Sequence, residues 1–142
     1  FAKEIAERIG ELSTKNIIDI YFKNIFNVEG AFRLCELKKL EDDNISLKFT
    51  YHDKEYDIKI SGNGPVDACI KAIQKAGFNC ELLHYEQQAL NEEIMGSGAT
   101  AMSIMHFRDK NGHQIISRGR DENTVKANIK AIFNGLNIME QN

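Results

Sequence analysis

The chain carries one pattern of strands and a helix twice, and this repeat is the feature that most constrains its fold. In the first copy, apolar and polar residues alternate from Ile45 to Tyr51, and Asp53 with Lys54 forms a turn before a second alternating stretch. A similar turn begins at Asp109, displaced from Asp53 by 56 residues, and again separates two alternating stretches. Alternation with a period of two predicts half-buried strands, and turn residues between such strands predict a hairpin.

Each copy ends in a segment whose apolar residues recur at helical spacing. These are Val66, Cys69, Ile70 and Ile73 in the first copy, and Val125, Ile129, Ile132, Phe133 and Leu136 in the second. We therefore predict an α+β fold of two pseudo-symmetric βββα repeats, over about residues 31–77 and 80–137. One face of each sheet is then covered by helices.

Three local predictions concern the second repeat. Strict alternation places Leu83, Tyr85 and Gln87 on one face of its first strand and Leu82 and His84 on the other. The last strand is expected over Gln114 to Ser117, with residues 119–121 (Gly-Arg-Asp) breaking it. His84 and His106 are expected to neighbour each other across adjacent strands, but they lack the third ligand of a metal site.

The first 28 residues predict a separate helical part. Apolar residues recur at helical spacing in two runs: Ala2, Ile5, Ala6, Ile9 and Leu12, then Ile17, Ile18, Tyr21, Phe22, Ile25 and Phe26. The second run forms a wide apolar stripe that must be buried against another surface. We expect two short linker helices over residues 1–28 and a second domain over residues 29–142. A chain that begins at Phe1 is also expected to be a fragment of a longer protein.

Composition excludes several classes of function. The formal net charge is −3 and the isoelectric point is about 5.8, which argues against a nucleic-acid binder with a concentrated basic face. No apolar run approaches the roughly 20 residues that span a bilayer. Cys35, Cys69 and Cys80 have no CxxC spacing, so we expect three reduced thiols in a cytoplasmic protein.

Residues 62–65 (Gly-Asn-Gly-Pro) lie between a predicted strand and a predicted helix. Pro65 suits the first helical position, and Asp67 suits the first turn. Free main-chain N–H groups at such a turn can hold a small anion, for example the carboxylate of an amino acid. The alternative interpretation is a tight strand-to-helix connection and nothing more. The turn lacks the Lys-Ser/Thr of a P-loop and the third glycine of a dinucleotide fingerprint.

No other pattern predicts catalysis. The four histidines have no HxH or HExxH spacing, and the acidic residues are scattered. Residues 96–101 (Gly-Ser-Gly-Ala-Thr-Ala) are small, which permits close approach of a ligand or of another subunit, or forms only a loop. We therefore expect no catalytic site and no bound metal in this chain.

Taken together, the motifs resemble the C-terminal part of the α-isopropylmalate synthase family, which includes citramalate synthases. The resemblance covers nearly the whole chain. It rests on residues 1–10 (Phe-Ala-Lys-Glu-Ile-Ala-Glu-Arg-Ile-Gly), on residues 62–68 (Gly-Asn-Gly-Pro-Val-Asp-Ala), and on residues 119–127 with 135–137. The first segment is similar to the linker of that family, and the others are similar to its regulatory domain.

The resemblance implies a homodimeric regulatory domain that binds a branched-chain amino acid, leucine or isoleucine, and thereby inhibits a catalytic barrel. Acetyl-CoA and a divalent metal are expected only in that barrel, which is absent here. The implied effector-binding residues are Asn63, Gly64, Pro65, Val66, Leu82, Tyr85, Ala89, Ala99, Ala101, Gly119 and Asp121.

Three functions remain open at this point. The first is the leucine-binding, feedback-inhibiting part of a 2-isopropylmalate synthase, and the second is an isoleucine-sensing domain of a citramalate synthase. Hydrophobic pockets discriminate a single methylene by only about 1–3 kcal/mol, so the sequence does not separate the two. The third is a purely structural dimerisation domain. A double-stranded-RNA binder shares the order of elements but requires a basic face that this chain lacks.

Overall fold

A computed structural model of the chain describes residues 26–42, 44–90 and 100–141. Their elements are β1 (Phe32–Lys39), β2 (Asn44–Tyr51), β3 (Lys54–Ser61), α1 (Pro65–Lys75), β4 (Glu81–Leu90), β5 (Thr100–Arg108), β6 (Gln114–Asp121) and α2 (Thr124–Gln141). The strands form two antiparallel three-stranded sheets, β1-β2-β3 and β4-β5-β6. The two predicted βββα repeats are thereby confirmed. The predicted linker helices fall almost entirely on residues 1–25, outside the described residues.

The core lies between the two sheets, and both helices contribute to it. The alternation predicted for β2 is confirmed, because Leu47 and Phe49 are fully buried on its inner face. From α2, Phe133 packs edge-on against Phe49 of the first sheet, with ring centroids 5.8 Å apart. On the same helix, Gly135 faces Phe107 of the second sheet. One hydrophobic cluster therefore joins both repeats, and neither sheet could bury its inner face alone.

Helix α1 ends at Lys75, and Gly77 closes it. Gly77 has φ 104°, a left-handed conformation that favours glycine. Its N–H donates to the carbonyl of Gln74 at 3.0 Å, and the N–H of Phe78 donates to the carbonyl of Ile73 at 3.3 Å. This pair of bonds satisfies carbonyls that the helix end would otherwise leave without partners.

Two buried asparagines of α2 hold the chain that leads into β1. Asn137 accepts a hydrogen bond from the N–H of Phe32 at 2.8 Å and donates to the carbonyls of Val28 and Phe32, each at 3.0 Å. One turn earlier, Asn134 accepts from the N–H of Val28 and donates to the carbonyl of Phe26. Residues 26–32 are thus fastened to the last helix by side-chain amides.

Two predictions for the second repeat are corrected. Leu82 pairs with Phe107, whereas His84 pairs with His106, so Leu83 is the extra residue of a β-bulge. The bulge shifts the alternation and places Leu82 on the same inner face as Tyr85. The predicted break of the last strand at residues 119–121 is also wrong, because β6 includes these residues and ends at Asp121. The predicted neighbours His84 and His106 do lie side by side, with ring centroids 5.6 Å apart.

The first repeat carries the same irregularity in the same place. Leu34 pairs with Phe49 and Glu36 with Lys48, so Cys35 is the extra residue in β1. The inner-facing residues on either side of this bulge are Leu34 and Leu37. The repeats are therefore similar in local backbone distortion as well as in order of elements.

Candidate ligand groove beside the glycine turn

Positions 62 and 64 each favour glycine, but for different steric reasons. At Gly62, an added Cβ would lie 2.7 Å from the main chain of Ala68, so the strand end and the helix approach too closely for a side chain. Gly64 has open space around it but φ 105°, which other residues rarely adopt. Pro65 then occupies the first position of α1, as predicted. The turn is built for close approach and a sharp change of direction.

Asp67 ties this turn to the helix electrostatically. Its Oδ2 accepts a hydrogen bond from the N–H of Asn63 at 2.9 Å and lies 3.0 Å from Nζ of Lys71. The bond from Asn63 is the main cause that lowers the pKa of Asp67, and Lys71 adds to it. Within the described residues, the N–H groups of Val66 and Asp67 have no hydrogen-bond partner, as is usual in the first turn of a helix. These two donors are available to a ligand.

A groove of about 560 Å³, which we call the first groove, runs past this turn between α1, β4 and the start of α2. It is lined by Asn63, Gly64, Pro65, Val66, Asp67, Ile70, Lys71, Gln74, Glu81, Leu82, Tyr85, Val125 and Asn128. Ligand pockets commonly have volumes of about 300–1,000 Å³ and a mainly apolar lining with a few polar groups. The first groove has this size and mixture.

The β4 wall of the first groove depends on the bulge at Leu83. Leu82 packs partly against the core, and Tyr85 lies 44% exposed on the same face. Further along this face, Nε2 of Gln87 donates to Oδ1 of Asn128 at 3.0 Å, which joins β4 to α2. The wall therefore presents an aliphatic residue and an aromatic residue toward α1, with amide groups at its end.

The structure brings together six of the residues implied by the resemblance. Asn63, Gly64, Pro65, Val66, Leu82 and Tyr85 all line the first groove. Ala89, Ala101 and Asp121 form one row across the second sheet, where Ala101 pairs with both of the others. They lie on the same face of the sheet as Tyr85, but beyond Gln87 and outside the groove. Ala99 falls outside the described residues.

Gly119 lies within β6, directly beneath α2. An added Cβ there would be 2.2 Å from the carbonyl oxygen of Ala127 and 2.4 Å from the nitrogen of Ala131. The same approach allows the hydroxyl of Ser117 to donate to the carbonyl of Ala131 at 2.7 Å. The immediate reason for glycine at this position is therefore packing of the helix on the strand.

Several groove residues are absent from the predicted set. Ile70 and Gln74 lie on α1 one and two turns after Val66, so helical spacing could have added them. Glu81 precedes Leu82 and adds a carboxylate, which lies 3.3 Å from Nη1 of Arg108. Val125 and Asn128 come from the other repeat, and no local pattern points to them.

In the parts of the chain covered by the structure, no group of three or more His, Cys, Asp or Glu side chains is placed to hold a metal ion. In the same parts, no helix is long and apolar enough to cross a membrane.

Comparison with known families decides where this fold belongs. The sequence profile of the LeuA allosteric (dimerisation) domain matches residues 11–140. The chain belongs to this family. The match contains both repeats and the whole of the first groove, so the geometry described above is that of a LeuA allosteric domain.

Relatives of this domain occur in two kinds of enzyme. The chain is 30% identical over 142 residues to a 2-isopropylmalate synthase of Aquifex aeolicus. The aligned region covers 95% of this chain and 26% of that protein. It is 27% identical over 135 residues to a Methanosarcina acetivorans protein whose name assigns it to the (R)-citramalate synthases, covering 95% of this chain and 28% of that protein. The chain spans about a quarter of the length of these relatives.

Proposed function

We propose that this chain is the allosteric part of a 2-isopropylmalate synthase and that its first groove binds leucine, the end product that feeds back on the enzyme. The observation that carries the proposal is the meeting of the glycine turn with Leu82 and Tyr85 in one groove. Family membership supports an allosteric role, and the relative from Aquifex aeolicus supports the parent enzyme. The catalytic barrel, with acetyl-CoA and its divalent metal, lies outside this chain in the proposal.

The chemistry of the first groove suits an aliphatic amino acid. Val66, Ile70 and Leu82 offer apolar surface for a branched side chain. The N–H groups of Val66 and Asp67 lie at the positive end of α1, where a carboxylate is favourable. Carboxylate oxygens of Asp67 and Glu81, with the amide of Gln74, can accept from an ammonium group. A zwitterion with an apolar side chain therefore finds a partner for each of its parts.

Regulation requires that the effector bind one arrangement of the protein more tightly than another. The first groove is formed by α1 of the first repeat and by β4 and the start of α2 of the second repeat. A ligand can touch all of these walls only if the two repeats keep a fixed relative position. We expect the chain to act as a homodimer, and the effector to stabilise one arrangement of that dimer.

The test is a titration of leucine against the chain, followed by thermal unfolding. A ligand that binds only the native state raises its stability by about 2.7 kcal/mol at a concentration one hundred times its Kd. Tyr85→Ala removes a groove wall, and Tyr85 lies outside the hydrophobic core cluster, so the variant should keep the fold and lose the leucine-dependent shift. Tyr85→Phe keeps the ring and serves as the matched control, with binding retained. A leucine response that Tyr85→Ala leaves intact would place the site elsewhere.

The alternative effector is isoleucine, and the similarity to a relative named as an (R)-citramalate synthase favours this second candidate. The same titration with isoleucine and valine separates the two. A tighter isoleucine response would assign the chain to the citramalate branch. A dimer that responds to none of the three amino acids would contradict effector binding and favour a purely structural dimerisation domain.

A further inference from the structure

A second groove of about 390 Å³ lies between β1 and the start of α2. It is lined by Leu34, Cys35, Glu36, Leu37, Lys39, Ile45, Pro65, Asn123, Val125, Lys126, Ile129 and Lys130. We call it the second groove. Pro65 and Val125 line both grooves, so the two are separated only by the first turns of the helices.

The second groove is the pseudo-symmetric counterpart of the first on its strand side. In β1, Leu34 and Leu37 face inward on either side of the bulge at Cys35. In β4, Leu82 and Tyr85 face inward on either side of the bulge at Leu83. Each pair lines its own groove and faces the helix of the other repeat. The β1 pair faces α2 in the second groove, and the β4 pair faces α1 in the first groove. The two strand walls therefore correspond at these two positions.

The helix side of the two grooves corresponds as well. The second and sixth residues of α1 are Val66 and Ile70, and those of α2 are Val125 and Ile129; each pair lines its groove with branched apolar side chains. Apolar strand and helix walls facing each other across such a volume suit a small aliphatic group.

The charges at the two helix starts are inverted. The third residue is Asp67 in α1 but Lys126 in α2. Lys130 is held by Asp121 at 2.8 Å, whereas Lys39 and Lys126 have no carboxylate within ion-pair distance in the described part of the chain. The acid of the second groove, Glu36, is 3.7 Å and 3.9 Å from two lysines, Lys38 and Lys48. The lining of the second groove therefore carries three lysines and one carboxylate, whereas the lining of the first groove carries two carboxylates and one lysine.

The main-chain donors of the second groove are already engaged. Oδ1 of Asn123 accepts hydrogen bonds from the N–H groups of Val125 at 2.8 Å and Lys126 at 3.1 Å. Asn123 thus caps α2, whereas the equivalent N–H groups of α1, those of Val66 and Asp67, remain open. An anion in the second groove would therefore be held by lysine side chains instead of by the helix terminus.

We propose that the second groove binds a small aliphatic monocarboxylate that lacks an ammonium group, such as a branched-chain fatty or 2-oxo acid. The apolar walls hold the hydrocarbon part, and Lys126 and Lys39 hold the carboxylate. An amino acid is disfavoured because its ammonium group would meet three lysines of the lining, against the single carboxylate of Glu36. The comparison of walls rests on the proposed function of the first groove, whereas the charge argument does not.

Cys35 provides a direct readout, because its exposed thiol lines the second groove. Isovalerate, used as the probe, should slow the labelling of Cys35 by a thiol reagent, and leucine at the same concentration should not. Lys126→Glu should weaken isovalerate binding by roughly tenfold or more, the loss expected when a charged hydrogen bond is removed. An acidic residue in the first turn of α2 is favourable to the helix, so this variant should fold.

Tyr85→Ala is the matched control, since it alters only the first groove. Protection of Cys35 by isovalerate should persist in this variant while its response to leucine is lost. Equal protection by leucine, or isovalerate protection that survives Lys126→Glu, would overturn the assignment of the second groove. Failure of leucine to bind anywhere would contradict the proposed function. The isovalerate measurements would still decide whether the second groove binds a monocarboxylate.

Discussion

The main-chain N–H of Asn63 donates to Oδ2 of Asp67 at 2.9 Å, so the glycine turn is fastened to the first turn of α1 by a charge-assisted hydrogen bond. The same carboxylate lies 3.0 Å from Nζ of Lys71. The conformation of the turn and the ionisation of one side chain are thereby coupled.

The first prediction follows from the pKa of Asp67, which the bond from Asn63 and the charge of Lys71 lower. The folded pKa lies below the unfolded value of about 3.9, so the stabilisation is complete above that value and is lost as the pH falls through the folded pKa. Asp67→Asn should flatten the melting temperature against pH in this acidic window. Thermal unfolding from neutral to acidic pH measures it.

Glu122→Gln is the control for that measurement, since Glu122 is exposed and makes no hydrogen bond or ion pair with the described residues. Its pH profile should follow that of the unaltered chain. An Asp67→Asn profile that also follows the unaltered chain would show that the carboxylate contributes nothing to the turn.

The second prediction concerns Gly119→Ala. The new Cβ would meet the main chain of α2 at Ala127 and Ala131, so strand and helix must separate. We expect a loss of roughly 1–3 kcal/mol in the free energy of unfolding, measured by urea denaturation. Gly112→Asn is the comparison and should cost less, because Gly112 has open space around it and only its φ of 84° strains asparagine, which adopts positive φ more readily than most residues. An unaltered unfolding midpoint for Gly119→Ala would argue against close packing as the reason for this glycine.

The third prediction concerns Asn137→Ala. This change leaves the N–H of Phe32 and the carbonyls of Val28 and Phe32 without their buried partner. We expect a loss of about 2–4 kcal/mol in stability, together with faster hydrogen exchange at the amide of Phe32. Asn111→Ala in the exposed turn before β6 should change neither quantity. Normal protection of Phe32 in Asn137→Ala would mean that another group anchors β1.

The fourth prediction concerns the three thiols. Cys69 and Cys80 are buried, and burial raises the pKa of both, that of Cys80 to about 12. Cys35 is exposed. One thiol per chain should react rapidly with a disulfide reagent under native conditions, and the other two only after unfolding. Cys35→Ser should abolish the rapid phase; rapid labelling that remains in this variant would show that the buried pair is accessible.

Periodicity predicted the repeats well, because each strand of the first hairpin alternates without interruption and each helix keeps its apolar spacing. It misplaced Leu82 because a β-bulge adds one residue without a signature in the sequence, and one added residue reverses the facing of everything on one side of it. The end of β6 was misjudged for a related reason. Gly119 suggests a turn locally, but the close approach of α2 keeps it within the strand.

The candidate site was predicted on its α1 side and in part on its β4 side. Asn63 to Val66 are contiguous, so a local motif could identify them, and Leu82 and Tyr85 came with the family resemblance. Val125 and Asn128 enter the groove from the second helix. Their position depends on how the two repeats pack, which neither alternation nor helical spacing encodes.

The amides of Asn134 and Asn137 have a mechanical consequence. Because they hold residues 26–32 through both donors and acceptors, we expect the segment entering β1 to move together with helix α2. The start of that helix forms part of both grooves, and its far half holds the entering chain. A ligand that tilts α2 is therefore expected to change the direction of the chain at Phe26. Occupancy of a groove would then become a change of angle where the chain enters the domain.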